Sequence, residues 1–143
     1  MAILLDTNVV SELMRPVPDT GVEVWLSKYE KSDLYFSSVS EAELRYGIAL
    51  LPSGRRKDRL ESAMEAMLQK AFQNRVLSFD RKSAHTYAEI AASRKLAGRP
   101  YSRFDCQIAS IASSNDCVLA TRNIRDFVGM GVDLLNPWSD VES

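Results

Sequence analysis

Residues 2–8 read Ala2-Ile3-Leu4-Leu5-Asp6-Thr7-Asn8, and this stretch decides the fold. Four apolar residues in succession, without alternation, suit a strand buried on both faces. Such a strand belongs in the middle of a sheet, so Asp6 stands at the end of a central strand. A carboxylate buried there needs a partner or a metal ion. No Lys or Arg precedes Asp6, and none follows until Arg15.

Working outward, four further runs read as strands: Leu34 to Val39, Arg75 to Phe79, Asp116 to Thr121, and Gly131 to Leu135, the last ended by Asn136-Pro137-Trp138. Helical spacing lies between them. Val22, Trp25, Leu26 and Tyr29 form one stripe, and Ala42, Leu44, Tyr46, Ile48 and Leu51 a less regular one. Leu60, Met64, Met67, Leu68 and Ala71 form a third, with the two Met as core filler. Ala84, Tyr87, Ala88, Ala91 and Ala92 form a fourth, closed by Gly98-Arg99-Pro100. Ile108, Ala109, Ile111 and Ala112 mark a compact fifth. Strands alternating with helices predict a three-layer α/β/α fold around a central, mainly parallel sheet of about five strands.

The length of 143 residues suits a single domain over 1–143. A chain of this size buries enough surface to fold without a staple. Cys106 and Cys117 stand in no CxxC pattern and read as buried small hydrophobes in a reducing compartment. The one histidine, His85, cannot build a His-based zinc site alone. No apolar run approaches the roughly 18 residues of a membrane span, and residues 1–6 lack the basic start of a signal peptide. A cytoplasmic location is the expectation. The 18 Lys+Arg and 19 Asp+Glu give a net charge of −1, which argues against a polybasic nucleic-acid wrapper and an acidic disordered tail. The local basic cluster Arg55, Arg56, Lys57 and Arg59 reads as a solvated helix face, with contact to phosphate or to an acidic partner as the alternative.

In open α/β sheets, ligands bind outside the carboxyl ends of the strands. Acids recur at those junctions: Asp6, then Glu41 and Glu43, then Asp80, Asp105 and Asp126. Taken singly, most read as helix caps. Ser40 to Glu43 and Ser102 to Asp105 have capping-box spacing, Asn123 to Asp126 has it with Asn as the cap, and Asp80 is an ordinary N-cap. If Asp6, Glu43, Asp105 and a fourth acid converge, their repulsion calls for a cation. An all-oxygen set without His or Cys selects Mg²⁺ or Mn²⁺. Competing chemistries lack their parts. No G-x-G-x-x-G or P-loop follows the first strand. Asn8 stands where an aspartyl-phosphate phosphatase carries its second Asp, and one His in a helical stripe makes no Ser/His/Asp triad.

Four segments, in order, resemble the motifs of PIN-domain nucleases. They are Leu4-Leu5-Asp6-Thr7-Asn8-Val9-Val10-Ser11-Glu12-Leu13, Ser38 to Ile48 around Glu43, Phe104-Asp105-Cys106-Gln107-Ile108-Ala109, and Leu119 to Phe127. Asn136-Pro137-Trp138 is similar to the ending of one branch, and the match runs through essentially the whole chain. The nearest resemblance is to the VapC toxin family and its FitB-like branch. It implies a Mg²⁺-dependent ribonuclease, the toxin half of a toxin–antitoxin pair, which dimerises and is inhibited by a small DNA-binding antitoxin.

Carried over residue by residue, the resemblance makes Asp6, Glu43 and Asp105 metal-binding acids. Asp126 is the choice for the fourth position, with Asn123 as the alternative. Thr7 and Thr121 would orient the carboxylates. The implied reaction is hydrolysis of an RNA phosphodiester with one or two Mg²⁺, about 4 Å apart if paired, and no protein nucleophile. Glu43 is a candidate acceptor for the water's proton, and Arg103, Arg122 and Arg125 are candidate phosphate contacts. The alternatives are a metal-free PIN-like binding module, a DNA-directed nuclease, and a phosphotransfer receiver domain. The last lacks the paired acid near the first strand and the Lys after the last. The residues around Trp25, Tyr29 and Tyr46 read as core by default, with an interface as the alternative. Because the net charge is near zero, binding to RNA without divalent metal should be weak.

Overall fold

The computed structural model describes residues 1–139, so the last four residues of the expected domain lie outside the described residues. Its sheet has five parallel strands in the order β3-β2-β1-β4-β5. They are β1 (Ile3–Leu5), β2 (Leu34–Ser37), β3 (Val76–Leu77), β4 (Val118–Ala120) and β5 (Leu134–Leu135). The helices are α1 (Thr7–Leu13), α2 (Thr20–Ser27), α3 (Ser38–Ala49), α4 (Arg55–Ala66), α5 (Arg81–Leu96), α6 (Arg103–Ser114) and α7 (Ile124–Phe127). A π-helical turn over Met67–Ala71 extends α4.

β1 is central, as its unbroken apolar run predicts. Ile3 pairs with Leu34 on one side and with Val118 on the other. Its three side chains are fully buried but serve two cores. Ile3 and Leu5 pack with Val9, Val10, Trp25 and Phe36 under α1–α4. Leu4 points the opposite way, toward Ile108, Ile111, Leu119 and Phe127. The period-2 alternation of a strand thus feeds both faces of the sheet. Burial of each such side chain contributes roughly 1.5–3 kcal/mol.

From β1 the chain moves outward through β2 to β3, then returns to β4 on the other side of β1. The order therefore reverses between β1 and β4. At that point of a doubly wound sheet, crossovers leave on opposite faces and a crevice opens at the carboxyl ends. The Asp6 amide donates to the Ala120 carbonyl at 2.9 Å, which ties the two strand ends together there.

Several local expectations need correction. α1, which follows β1 directly, has seven residues, too few to write a stripe in the sequence. Val39 belongs to α3 rather than to a strand, because the helix starts at Ser38 with Ser37 as its cap. The Ser37 hydroxyl accepts from the Ser40 amide at 3.0 Å, so Ser40 to Glu43 is not a capping box. Asn123 stands at the N-cap of α7 without a side-chain capping bond, and its backbone carbonyl accepts from the Asp126 amide. The inward face of α5 carries Ser83, Tyr87, Ile90, Ala91 and Arg94, whereas Ala84, Ala88 and Ala92 are exposed. Tyr46 is 68% exposed, not core, while Trp25 is buried. The edge strands β3 and β5 are two residues long, shorter than the runs that predicted them.

Other readings hold. Ser102 and Asp80 cap α6 and α5, accepting from the Asp105 and Ser83 amides at 3.0 Å each. Cys106 and Cys117 are buried free thiols whose pKa burial raises. His85 is exposed and lies 3.3 Å from Glu89 one turn on. Among the described residues, no helix is long and apolar enough to cross a membrane.

Candidate active site

Side chains that the sequence places just past the ends of β1 and β4 meet at the point where the strand order reverses. Asp6 caps α1 and accepts from the Thr7 amide at 2.8 Å. Its other oxygen, Oδ2, accepts from the Thr121 hydroxyl at 2.7 Å. Thr121 follows β4 and is fully buried, so a residue 115 positions away fixes the Asp6 rotamer. Thr7 performs the same service for α3, donating from Oγ1 to Glu43 Oε1 at 2.8 Å. Because α3 starts at Ser38, Glu43 sits in its second turn, where it meets Thr7 at the start of α1 rather than capping its own helix.

Asp105 lies in the first turn of α6, positioned by the Ser102 cap and half-buried. Asp126 lies on α7 and is exposed. Asp105 and Asp126 line one cavity together with Arg125. Glu43 lines a neighbouring groove with Ser11 and Arg56.

The electrostatics join these acids into one group. Asp6 is 5% exposed, and burial pushes its carboxyl up to about 6, with the charges of Asp105 and Glu43 adding to the rise. The bonds from Thr121 and Thr7 oppose that rise and favour the anion. Burial also raises Asp105, as do the Asp126 and Glu43 charges, while the Ser102 hydroxyl opposes them. Asp105 thus feels all three other acids or is felt by them, and Asp126 joins the group through Asp105. Among the described residues, no ion pair reaches any of the four.

The donor set is made only of oxygen, which suits a hard divalent cation. Among the described residues, no three His, Cys, Asp or Glu side chains already surround one point as a metal shell. The acids therefore fit such an ion by donor chemistry and charge, and their side chains would have to move to close a shell around it.

Two contributors escape a sequence reading. Asn8 bridges the strand ends: its Nδ2 lies 3.4 Å from Asp6 Oδ2 and its Oδ1 accepts from the Arg122 amide at 3.3 Å. Its signal is an amide two residues beyond a buried acid. Arg94 is 5% exposed and donates from Nη2 to the carbonyls of Val128, at 2.6 Å, and Asp126, at 3.3 Å, which anchors the segment carrying Asp126. Its signal is a cation on the inward stripe of a helix.

The three arginines beside the acids differ in setting. The Arg122 guanidinium lies 4.9 Å from the Trp138 ring centre, a cation–π contact. Arg125 faces the Asp105 cavity. Arg103 is exposed at the first position of α6. Asn123 is exposed, and its backbone amide donates to Thr121 Oγ1 at 3.0 Å.

A parallel α/β/α sheet whose switch point gathers carboxylates, hydroxyls and an amide, with no glycine loop for phosphate, defines an acid-centred class of α/β protein. The chain belongs to the PIN-domain family, whose pattern it matches over residues 3–130. Its relatives include the plasmid stability protein StbB of Pseudomonas syringae pv. tomato, 43% identical over 95% of this chain and 98% of that protein. The VapC ribonuclease Y4jK of Sinorhizobium fredii is 37% identical over 95% and 97%. The toxin FitB of Neisseria gonorrhoeae is 39% identical over 96% and 99%. Among solved structures, FitAB bound to the IR36 DNA fragment superposes with a TM-score of 0.87 at 39% identity, covering 95% of each chain. The chain thus sits with the VapC and FitB proteins within the family.

Proposed function

We propose that this protein is a Mg²⁺- or Mn²⁺-dependent endoribonuclease and the toxin component of a toxin–antitoxin pair. The observation that carries the reading is the buried Asp6 carboxylate. It feels the charges of Glu43 and Asp105 and is held by Thr121, and no ion pair reaches it among the described residues. Near-full-length similarity to a VapC ribonuclease supports the reaction class.

Asp6, Glu43 and Asp105 would hold the metal, with Asp126 as the fourth acid and Asn123 as its alternative. A bound divalent ion supplies charge stabilisation at the phosphoryl oxygens and eases deprotonation of water. The chain's own residues do the rest. Thr121 fixes Asp6, and Thr7 fixes Glu43 Oε1, which leaves Oε2 to accept the proton of the attacking water. Arg103, Arg122 and Arg125 hold flanking phosphates. The relative FitB is named a toxin, and FitAB has been solved on DNA, which supports a small DNA-binding antitoxin as partner of this chain. A homodimer is the proposed toxin unit.

The test is cleavage of labelled RNA and single-stranded DNA, side by side, with Mg²⁺ or Mn²⁺ and with the Asp6→Asn variant. RNA cleavage that needs metal and is lost in the variant supports the reading. Full activity of folded Asp6→Asn overturns it. Cleavage of DNA alone moves the assignment to a DNA-directed nuclease. Metal binding or partner binding without any cleavage leaves a binding module.

A further inference from the structure

A cavity of about 450 Å³ opens beside Asp105 and Asp126, walled on its far side by the end of α5 and the turn that follows it. Its volume falls within the ~300–1,000 Å³ of clefts that take small ligands. Arg94, Arg99, Tyr101 and Arg125 line it with the two acids.

The basic wall is built rather than incidental. Arg94 is buried, and its Nε has no hydrogen-bond partner among the described residues. Arg99 Nη2 approaches the Val128 carbonyl that Arg94 also holds, at 3.5 Å. The Arg99 guanidinium lies against Gly129, where a Cβ would stand 2.6 Å from Nη1. Gly129 has φ +85°, a backbone conformation that favours glycine, and the Arg99 side chain lies over it. Beside this wall the rings of Tyr101 and Phe104 are 39% and 50% exposed.

We propose that this cavity seats the nucleotide adjoining the scissile phosphate of a single-stranded RNA, with its phosphate on Arg99 and Arg125 and its base on Tyr101. The inference rests on the nuclease reading above and names the form of its substrate. Guanidinium groups match phosphate oxygens in a planar, bidentate way. A free small anion gains little here, because Asp105 and Asp126 form the opposite wall. A strand anchored at the acids by a divalent ion carries its neighbouring nucleotide into the cavity by connectivity. An exposed tyrosine can stack only on a base that is out of its duplex, which selects single strands.

The test is fluorescence anisotropy with the full chain and a short, labelled single-stranded RNA of mixed sequence. Ca²⁺ replaces Mg²⁺ as the hard cation that neutralises the acids, and gels check that the RNA stays intact. Arg99→Ala and Tyr101→Ala are both surface changes. Each should weaken binding roughly tenfold. Arg99→Ala should also flatten the plot of log affinity against log salt by about 0.7, one single-strand phosphate contact, whereas Tyr101→Ala should leave the slope unchanged. The same RNA pre-annealed into a duplex should bind each variant as it binds wild type. Unchanged single-strand affinity in both variants, while wild type still cleaves RNA, overturns the subsite and leaves the nuclease reading standing. Wild type that neither binds nor cleaves RNA overturns both.

Discussion

Thr121 donates its hydroxyl to Asp6 Oδ2 at 2.7 Å across the junction of β1 and β4, and both residues are buried. One short bond thus joins two strand ends to the candidate metal site. Replacing Thr121 with Val keeps the shape and removes the donor. The loss of a bond to a charged acceptor should cost about 1.5–3 kcal/mol of stability in urea melts at neutral pH. Mn²⁺ affinity, read by calorimetry, should fall 10- to 100-fold, and Ser at the same position should restore most of it.

Asp6 makes stability depend on pH in an unusual direction. Its folded pKa is raised to about 6, so the native state holds this proton more tightly than the unfolded chain. The contribution is fully present below the unfolded value and is lost as pH rises through about 6. Asp6→Asn mimics the protonated acid. In metal-free buffer at pH 8 it should be more stable than wild type by about 2–3 kcal/mol, and the gap should close toward pH 4. Urea denaturation at several pH values measures this. A gap that instead widens toward acid would show that burial of the charge is not the cause.

Metal binding should reverse that penalty. Saturating Mg²⁺ or Mn²⁺ should raise the melting temperature of wild type at pH 8, with an effect that fades as pH falls through 6 and Asp6 protonates. Asp6→Asn and Asp105→Asn should show little rise. Thermal melts with and without EDTA provide the measurement.

Thr7 holds Glu43 as Thr121 holds Asp6, but this contact is only part-buried. Thr7→Val should therefore cost no more than about 1 kcal/mol in stability. Its effect should fall on chemistry, as a loss of roughly tenfold or more in kcat for RNA cleavage. A variant that lost stability but kept kcat would make Thr7 a structural residue only.

Arg94 anchors the carbonyls on either side of Phe127 and has no carboxylate partner among the described ion pairs. Arg94→Met fills similar volume without the donors. It should lower stability by about 1–3 kcal/mol through loss of the two charge-assisted bonds from Arg94 to the Asp126 and Val128 carbonyls. It should also speed amide exchange at residues 124–130, while exchange in β1 changes no more than global stability dictates.

The unalternated run before Asp6 placed β1 and its acid in the sheet centre because a both-faces-buried strand has few other uses. Ser102 and Asp105 were legible for a similar reason: a cap fixes its helix start and therefore the first-turn acid. The start of α3 was less legible, since Ser37, Ser38 and Ser40 can each cap a helix and only packing of Val39 selects Ser37. The face of α5 was hidden by its many alanines, which fit inside or outside equally well. The Asn8 contact with Arg122 and the Arg94 contacts with Asp126 and Val128 each span more than 30 residues, so their local signals do not name the partners.

The pairing of Asp6 with Thr121 also sets an order of events during synthesis. β1 is synthesised over 100 residues before its neighbour β4 and the hydroxyl that orients Asp6. At about 5–20 residues per second, that delay is roughly 5–20 seconds. Until then β1 can pair only with β2, and Asp6 lacks the Thr121 hydroxyl. A nascent or prematurely ended chain lacking β4 therefore carries no assembled centre, and the acids meet only once Thr121 has been made and docked.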